Sequence, residues 1–373
     1  MTRATAVREF LRTEAAGGVA LLAATITALI WANTASGSYA DVWTDDSRVW
    51  INDGLMALFF FVVGLEIKRE LTVGELRDPR TAALPAIAAA GGMVVPALVY
   101  LAWTAGTDAA DGWGIPIATD IAFVVGIMAV LGRRAPAALK LFVLTLAIID
   151  DIGAIVVIAL FYGHGLHPEW FAASAVVLLV VLALRLARVT NPLAYVLPGL
   201  ALWFCVHESG IHATIAGVIL ALCMPVREVE SLEHKLHPVT SFAVIPLFAL
   251  ANAGVVVTGG GLQDALGETL TWAVITGLVV GKFVGVTGAT VAAARIGIGR
   301  MPAGLTRRHV LGAGALAGIG FTVSLFVADL AFGSGRGPLA DAKIGVLLGS
   351  IASGVIAVAI LWGGPNATDP PDE

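Results

Sequence analysis

The chain has 373 residues, of which only 13% are charged, with a formal net charge of −5 and a mean hydropathy of +0.89. An ordinary soluble domain carries roughly 25% charged residues, and a soluble chain of this length cannot hide so much apolar surface. The composition therefore excludes a water-soluble globular protein, points to the lipid bilayer as first partner, and holds no sign of nucleic-acid binding.

In chain order, apolar runs of roughly 17–25 residues predict twelve spans. They lie near 15–33, 50–66, 82–104, 113–131, 138–162, 169–187, 192–207, 211–226, 238–258, 270–294, 309–333 and 342–363. The fold class is an all-α polytopic membrane protein, one integral-membrane domain over 1–373 with no linker. Met1–Thr13 is a charged lead-in to a retained first span, and the polar tail 364–373 is expected to be disordered. Cys205 and Cys223 lie in apolar runs as core filler, too few for a disulfide framework.

Basic residues orient the chain. With the N-terminus in the cytoplasm, eighteen Lys and Arg fall on the cytoplasmic side, whereas Arg48, Arg336 and Lys343 fall on the other. That asymmetry predicts cytoplasmic termini and an even number of spans.

Charge inside the membrane is the strongest functional signal. An acid at the centre of a span costs about 2.5–3.5 kcal/mol on insertion scales. Span 4 holds Asp120 after Pro116 and Thr119, span 5 holds Asp150 and Asp151 together, and span 10 holds Lys282. All lie near mid-span, so they share one depth and suggest a polar centre where helices meet. A structural ion pair is the plainer alternative, although a pair needs one acid and three are present. Adjacent helical residues point about 100° apart, so one aspartate can face an aqueous path while the other turns to Lys282. Carboxylate oxygens suit a hard cation such as Na⁺ or Li⁺. Buried, mutually repelling carboxylates hold protons near neutral pH and surrender them to a cation. Competition at one site is the chemistry of an antiporter.

Two spans are expected to be broken. Pro116 removes a helical hydrogen bond in span 4, and Gly312, Gly314, Gly318 and Gly320 crowd span 11. Their positions place them in triplets 3–5 and 10–12 of opposite orientation. Asp120 and Lys282 are then placed to compensate half-helix ends.

These stretches, NDGLMALFFFVVGLEIKREL, IPIATDIAFVVG, LAIIDDIGAIVVIALFY, GIHATIAGVI, PLFALANAGV and GIGFTVSLFVADLAFG, resemble the NhaA-type bacterial sodium/proton antiporters, in order and over nearly the whole chain. That family is an established example of inverted-topology repeats. The resemblance implies twelve helices with two inverted three-helix repeats and interrupted helices 4 and 11, in the bacterial inner membrane. It implies electrogenic export of Na⁺ or Li⁺ for more than one H⁺, serving pH and sodium homeostasis, with no enzyme activity and no cofactor. By the same resemblance, Asp151 is the primary ligand of Na⁺, Asp150 carries protons beside Lys282, Thr119 assists the cation, and Asp120 compensates helix ends.

Glu66, Glu70, Glu233, His234 and His237 are linked by the resemblance to pH activation; interfacial charge and snorkelling explain them equally well. His212 is either a pH sensor or a helix-end packing residue, and Asp53 reads as a helix N-terminal charge. Asp329 stands where the family pattern leads us to expect no acid, and should reach the aqueous interface. Segment 34–49 resembles the region where the family forms a β-hairpin at a homodimer contact.

Other classes fit less well. An intramembrane aspartyl protease needs a G-x-G-D element, which the sequence lacks. A channel calls for a ring of ligands or a re-entrant filter. An electroneutral exchanger tends to carry Asn at the first aspartate position, where this chain has Asp150.

Overall fold

A backbone in hydrocarbon has no water to bond, so each apolar run must close its hydrogen bonds within itself. The computed structural model describes residues 3–163, 165–298, 301–302, 304–333 and 336–363, and helices dominate them. The tail expected to be disordered, 364–373, lies outside the described residues.

The helices are α1 (Arg3–Thr34), α2 (Asp45–Thr72), α3 (Pro79–Thr104), α4 (Asp108–Ile117 and Ile121–Arg134) and α5 (Ala137–Phe161). There follow α6 (Pro168–Leu186), α7 (Val196–Glu208), α8 (Thr214–Cys223) and α9 (Val226–Val239, continuing through Thr240–Val244 to Ile245–Asn252). Last come α10 (Thr269–Arg295), α11 (Arg307–Ala317 and Phe321–Phe332) and α12 (Arg336–Trp362).

Eight of these are long and apolar enough to cross a membrane, and the bent α4 makes nine. The expected spans 7 and 8 are shorter than the sequence suggests, α7 having 13 residues and α8 10. Gly210, at φ +85°, turns the chain before α8, and Pro225 starts α9. The last part of α9 stops at Asn252 rather than 258, where the Tyr39 hydroxyl lies 2.7 Å from the Leu250 carbonyl oxygen and 3.0 Å from that of Ala251.

Segment 34–49 differs from expectation. It forms two short helices, Ser36–Val42 and Asp45–Val49, instead of a β-hairpin. Thr44 caps the second by accepting from the Ser47 amide, and Trp31 packs edge-on against Tyr39 and Trp43. Cap and aromatic packing satisfy the segment locally, so nothing favours extended backbone.

The helices pack as two groups. In one, α10 lies along α3 and against α11 and α12, and α5 packs on α3. In the other, α2 packs on α8 and α9, α6 on α7, and α1 on α9; α1 also bridges to α4. The α3–α10 crossing is closest at Gly91 and Gly285, where a Cβ on Gly285 would stand 2.2 Å from the Gly91 carbonyl oxygen. Only glycine permits that approach. α11 is buried along nearly its whole length, whereas α6 is almost wholly exposed. The site is therefore around α11.

Candidate ion site at the helix crossing

The two interrupted helices meet at their breaks. In α4 a tight 3₁₀ run ends at Ile117, Ala118–Asp120 is extended, and the helix resumes at Ile121 with a 43° bend. In α11 regular helix stops at Ala317 and resumes at Phe321. A Cβ on Gly318 would lie 2.5 Å from the Leu278 carbonyl oxygen, so glycine lets the broken segment press against α10. The breaks are stitched by the Asp120 amide donating to the Ile319 carbonyl at 2.6 Å.

This crossing brings two helix N-termini together, and Asp120 serves both. Its Oδ1 accepts from the Phe123 amide at 3.1 Å, capping the second half of α4. Its Oδ2 accepts from the Thr322 amide at 3.0 Å and the Thr322 hydroxyl at 2.7 Å, capping the second half of α11. One carboxylate thus compensates two positive half-helix ends. Thr119 Oγ1 lies 3.0 Å from the Ala317 carbonyl, at the negative end of the first half of α11. Lys282, expected to compensate a helix end itself, is directed elsewhere.

Lys282 Nζ donates to Asp150 Oδ2 at 2.6 Å and to Thr119 Oγ1 at 3.1 Å. Both partners of the ion pair are 0% exposed. Thr119 Oγ1 also lies 2.8 Å from Asp150 Oδ2. Asp150 Oδ1 is buried without a hydrogen-bond partner, a lone pair that costs free energy unless something polar or cationic meets it.

Asp151 faces differently. It lines a cavity of about 50 Å³ together with Thr119, Asp120 and Thr322 at the crossing. Glu14 of α1, Glu66 of α2 and His237 of α9 also line it. Its lining thus reaches from the crossing to Glu66, which lies in the field of Arg69, and to His237 in the charged first half of α9. Among the described residues no group of three or more His, Cys, Asp and Glu is set to hold a metal ion tightly. Carboxylate and hydroxyl oxygens beside a small cavity suit a hard monovalent cation held in transit.

The other predicted residues divide. Glu233 Oε1 accepts from Arg69 Nη1 at 2.6 Å, and Glu70 accepts from Arg69 and from the Glu75 amide. Burial raises the Glu233 pKa against the lowering fields of Arg69 and His237. His237 Nε2 lies 2.5 Å from Glu14 Oε1. Burial lowers the His237 pKa, but the Glu14 hydrogen bond and the fields of Glu14, Glu66 and Glu233 outweigh it, so the net shift is upward. His234 is exposed and lines no part of the cavity. Lys68 caps α8 by donating to the Leu222 and Met224 carbonyls. His212 stands apart near Asp53, 3.5 Å away, with its other ring nitrogen 3.0 Å from the Thr214 hydroxyl.

Sequence reasoning missed Glu14 and Thr322. An acid directly before the first apolar run was the available signal for Glu14; Thr322 carried none. Two outer charges also differ from expectation. Lys343 is buried within α12 rather than in a loop, and Asp329 is partly buried, accepting from Asn52 Nδ2 at 2.6 Å.

Two interrupted helices crossing at buried acids and a lysine, with a cavity leading to one acid, define an ion-coupled secondary transporter. The sequence matches the Na⁺/H⁺ antiporter 1 family over residues 8–361, and the chain belongs to that family. It is 42% identical over 410 residues to the Na⁺/H⁺ antiporter NhaA 3 of Frankia alni, covering 96% of this chain and 88% of that protein. It is 44% identical to the Na⁺/H⁺ antiporter NhaA 2 of Erythrobacter litoralis, covering 98% and 96% of the two chains. The Na⁺/H⁺ antiporter NhaA of Escherichia coli O139:H28 is 44% identical, with 95% and 97% covered.

Proposed function

We propose that this protein is an electrogenic antiporter of the bacterial inner membrane that exports Na⁺ or Li⁺ in exchange for more than one H⁺. The reading rests on one observation: Asp151 lines the cavity while its neighbour Asp150 is held by Lys282. On this reading the cation enters from the cytoplasmic face past Glu66 and Glu14 and is bound by Asp151. Asp150 Oδ1 is a second available oxygen, and Thr119 closes the site. Asp120 compensates the helix ends and Lys282 balances Asp150 until the cation displaces protons. The two bundles then rock about the crossing and expose the site to the other side. Glu66 and His237 in the cavity lining, with Glu70 and Glu233 held on Arg69, tune entry with pH. Both termini are cytoplasmic. A homodimer through 34–49 is part of the proposal, supported by the exposed Val42, Val49 and Trp50 around its two short helices.

With more than one proton per cation, each cycle moves net charge, and one charge across 100 mV corresponds to about 2.3 kcal/mol. The test clamps proteoliposomes with potassium and valinomycin and finds the Na⁺ and H⁺ gradients at which net flux reverses. A reversal point that shifts with potential supports the reading. One indifferent to potential means one-for-one exchange, leaving Asp150 a structural partner of Lys282.

A further inference from the structure

Beyond the crossing, the second half of α11 runs towards the face opposite the acidic cavity. Thr322, Phe326 and Asp329 follow at i, i+4 and i+7, on one stripe of that helix. Thr322 meets Asp120. Phe326, fully buried, is met by Phe60 of α2 at 5.5 Å, Phe248 of α9 at 6.3 Å and His212 before α8 at 5.3 Å. Asp329 lies about 10 Å beyond Thr322 by helical rise. There Asn52 Nδ2 donates to Asp329 Oδ2 at 2.6 Å, and Asn252 Nδ2 donates to Asn52 Oδ1 at 2.8 Å. Asn52 and Asn252 are themselves buried. A directed chain of bonds therefore runs from α9 through α2 to α11.

The ring contacts of Phe326 and the Asn52–Asp329 bond join the two helix groups. Asp329 and Phe326 belong to the α3–α5 and α10–α12 group, while their partners belong to α2, α8 and α9. Within its own group the field of Asp329 reaches buried Lys343 of α12, and across the junction it reaches Asp53 of α2, with no direct ion pair to either among the described residues. Its hydrogen bond across the junction is to a neutral amide. Such a contact parts without leaving a bare charge on the other group: on separation, carboxylate and amide each hydrate. Phe326 supplies the complementary property, an apolar plug between the crossing and the outer face.

We propose that Phe326 and Asp329 form the outer gate of the transport path, Asp329 being a positioning residue that latches α11 to α2 and α9 while the cavity faces the cytoplasm. The proposal rests on the alternating-access reading above. It assigns a role to the acid that the family resemblance does not lead one to expect.

The test places a reporter cysteine at Met56, one turn deeper than Asn52 on α2 and 1% exposed, in a Cys205→Ser, Cys223→Ser background. Right-side-out vesicles are treated with a membrane-impermeant cationic thiosulfonate, and the labelling rate is measured. Asp329→Ala and Asn52→Ala should each raise outside labelling about tenfold, the population shift expected when a charge-assisted hydrogen bond is lost from one state. The reversal potential should not move. Asp329→Ala removes the acid in whose field Lys343 is buried and can fail to fold, whereas Asn52→Ala leaves that acid in place and decides alone. Labelling at the reference rate in a folded Asn52→Ala protein overturns the latch, as does a changed reversal potential in Asp329→Ala. If alternating access itself is wrong, reference labelling will not respond to an imposed sodium gradient; if only the latch is wrong, it responds and the variants match it.

Discussion

Asp150 and Asp151 differ by one residue and about 100° of helix rotation, and that turn gives two carboxylates different environments. Asp150 is enclosed, with one oxygen held by Lys282 and Thr119. Asp151 faces a cavity whose far end is lined by Glu14, Glu66 and His237. The comparison separates two environments: one acid is held by protein groups, and on the proposed reading the other is left to be neutralised by a proton or a cation. Buried charge without a partner is costly, so Asp151 must carry one or the other at every stage.

The largest expected effect comes from removing the free acid. Asp151→Asn keeps volume and a carbonyl oxygen but cannot cycle a proton, so sodium-driven collapse of a pH gradient in vesicles should fall to background in a folded protein. Wild-type-like exchange by this variant removes the distinction between the two aspartates. Next is the enclosed acid. Lys282→Met strands Asp150 without its cation, a change that costs about 3–5 kcal/mol when one partner of a buried pair is lost. Thermal unfolding in detergent should drop by many degrees, and an unchanged Tm means the pair is not what holds Asp150.

Asp120→Asn sharpens the comparison from the side, because Asp120 lines the same cavity yet serves helix ends. The amide oxygen can still accept at one N-terminus, but the NH2 that replaces the other oxygen cannot, and the charge facing both N-termini is lost, each charge interaction worth about 0.3–1 kcal/mol. The apparent Na⁺ requirement should rise several-fold with exchange retained. Complete loss of cation binding by titration calorimetry places Asp120 among the ligands.

The smallest effect lies at the rim. His237 has a raised folded-state pKa in the company of Glu14, Glu66, Glu233 and Arg69. Its contribution to stability is then full below its ordinary value of about 6.5 and is lost as pH rises through the higher folded value. His237→Gln should lower Tm by a few degrees at acidic pH, and the gap should close with alkalinity. A gap independent of pH leaves His237 a packing residue.

Much of this was legible in the sequence for a physical reason. Charges are so costly in hydrocarbon that Asp120, Asp150, Asp151 and Lys282 stand out individually, and Pro116 and Gly318 announce where a helix cannot continue. Less visible were features that depend on which helices touch. Nothing local in Thr322 says that it shares a cap with Asp120. Glu14 looks like an interfacial charge until α9 brings His237 beside it. The lengths of α7 and α8 were less legible, because hydropathy counts the apolar residues of the separate 3₁₀ turn Pro192–Tyr195 and those flanking Thr214–Cys223 without sensing that they lie outside the regular helix. Segment 34–49 misled through resemblance, since its Thr44 cap and aromatic packing favour helix. Asp329 and Lys343 looked like interfacial charges because each lies near a span end; their burial follows from packing among α2, α11 and α12.

The central claim is that protons and the cation compete for Asp151, and binding can be observed without transport. Purified protein in weakly buffered detergent at alkaline pH, but still partly protonated, is titrated with NaCl while a pH indicator follows released protons. The account predicts saturable acidification in the wild type and none in Asp151→Asn. Saturable Na⁺ binding with no proton release in the wild type, across the pH range in which the protein exchanges ions, would contradict it.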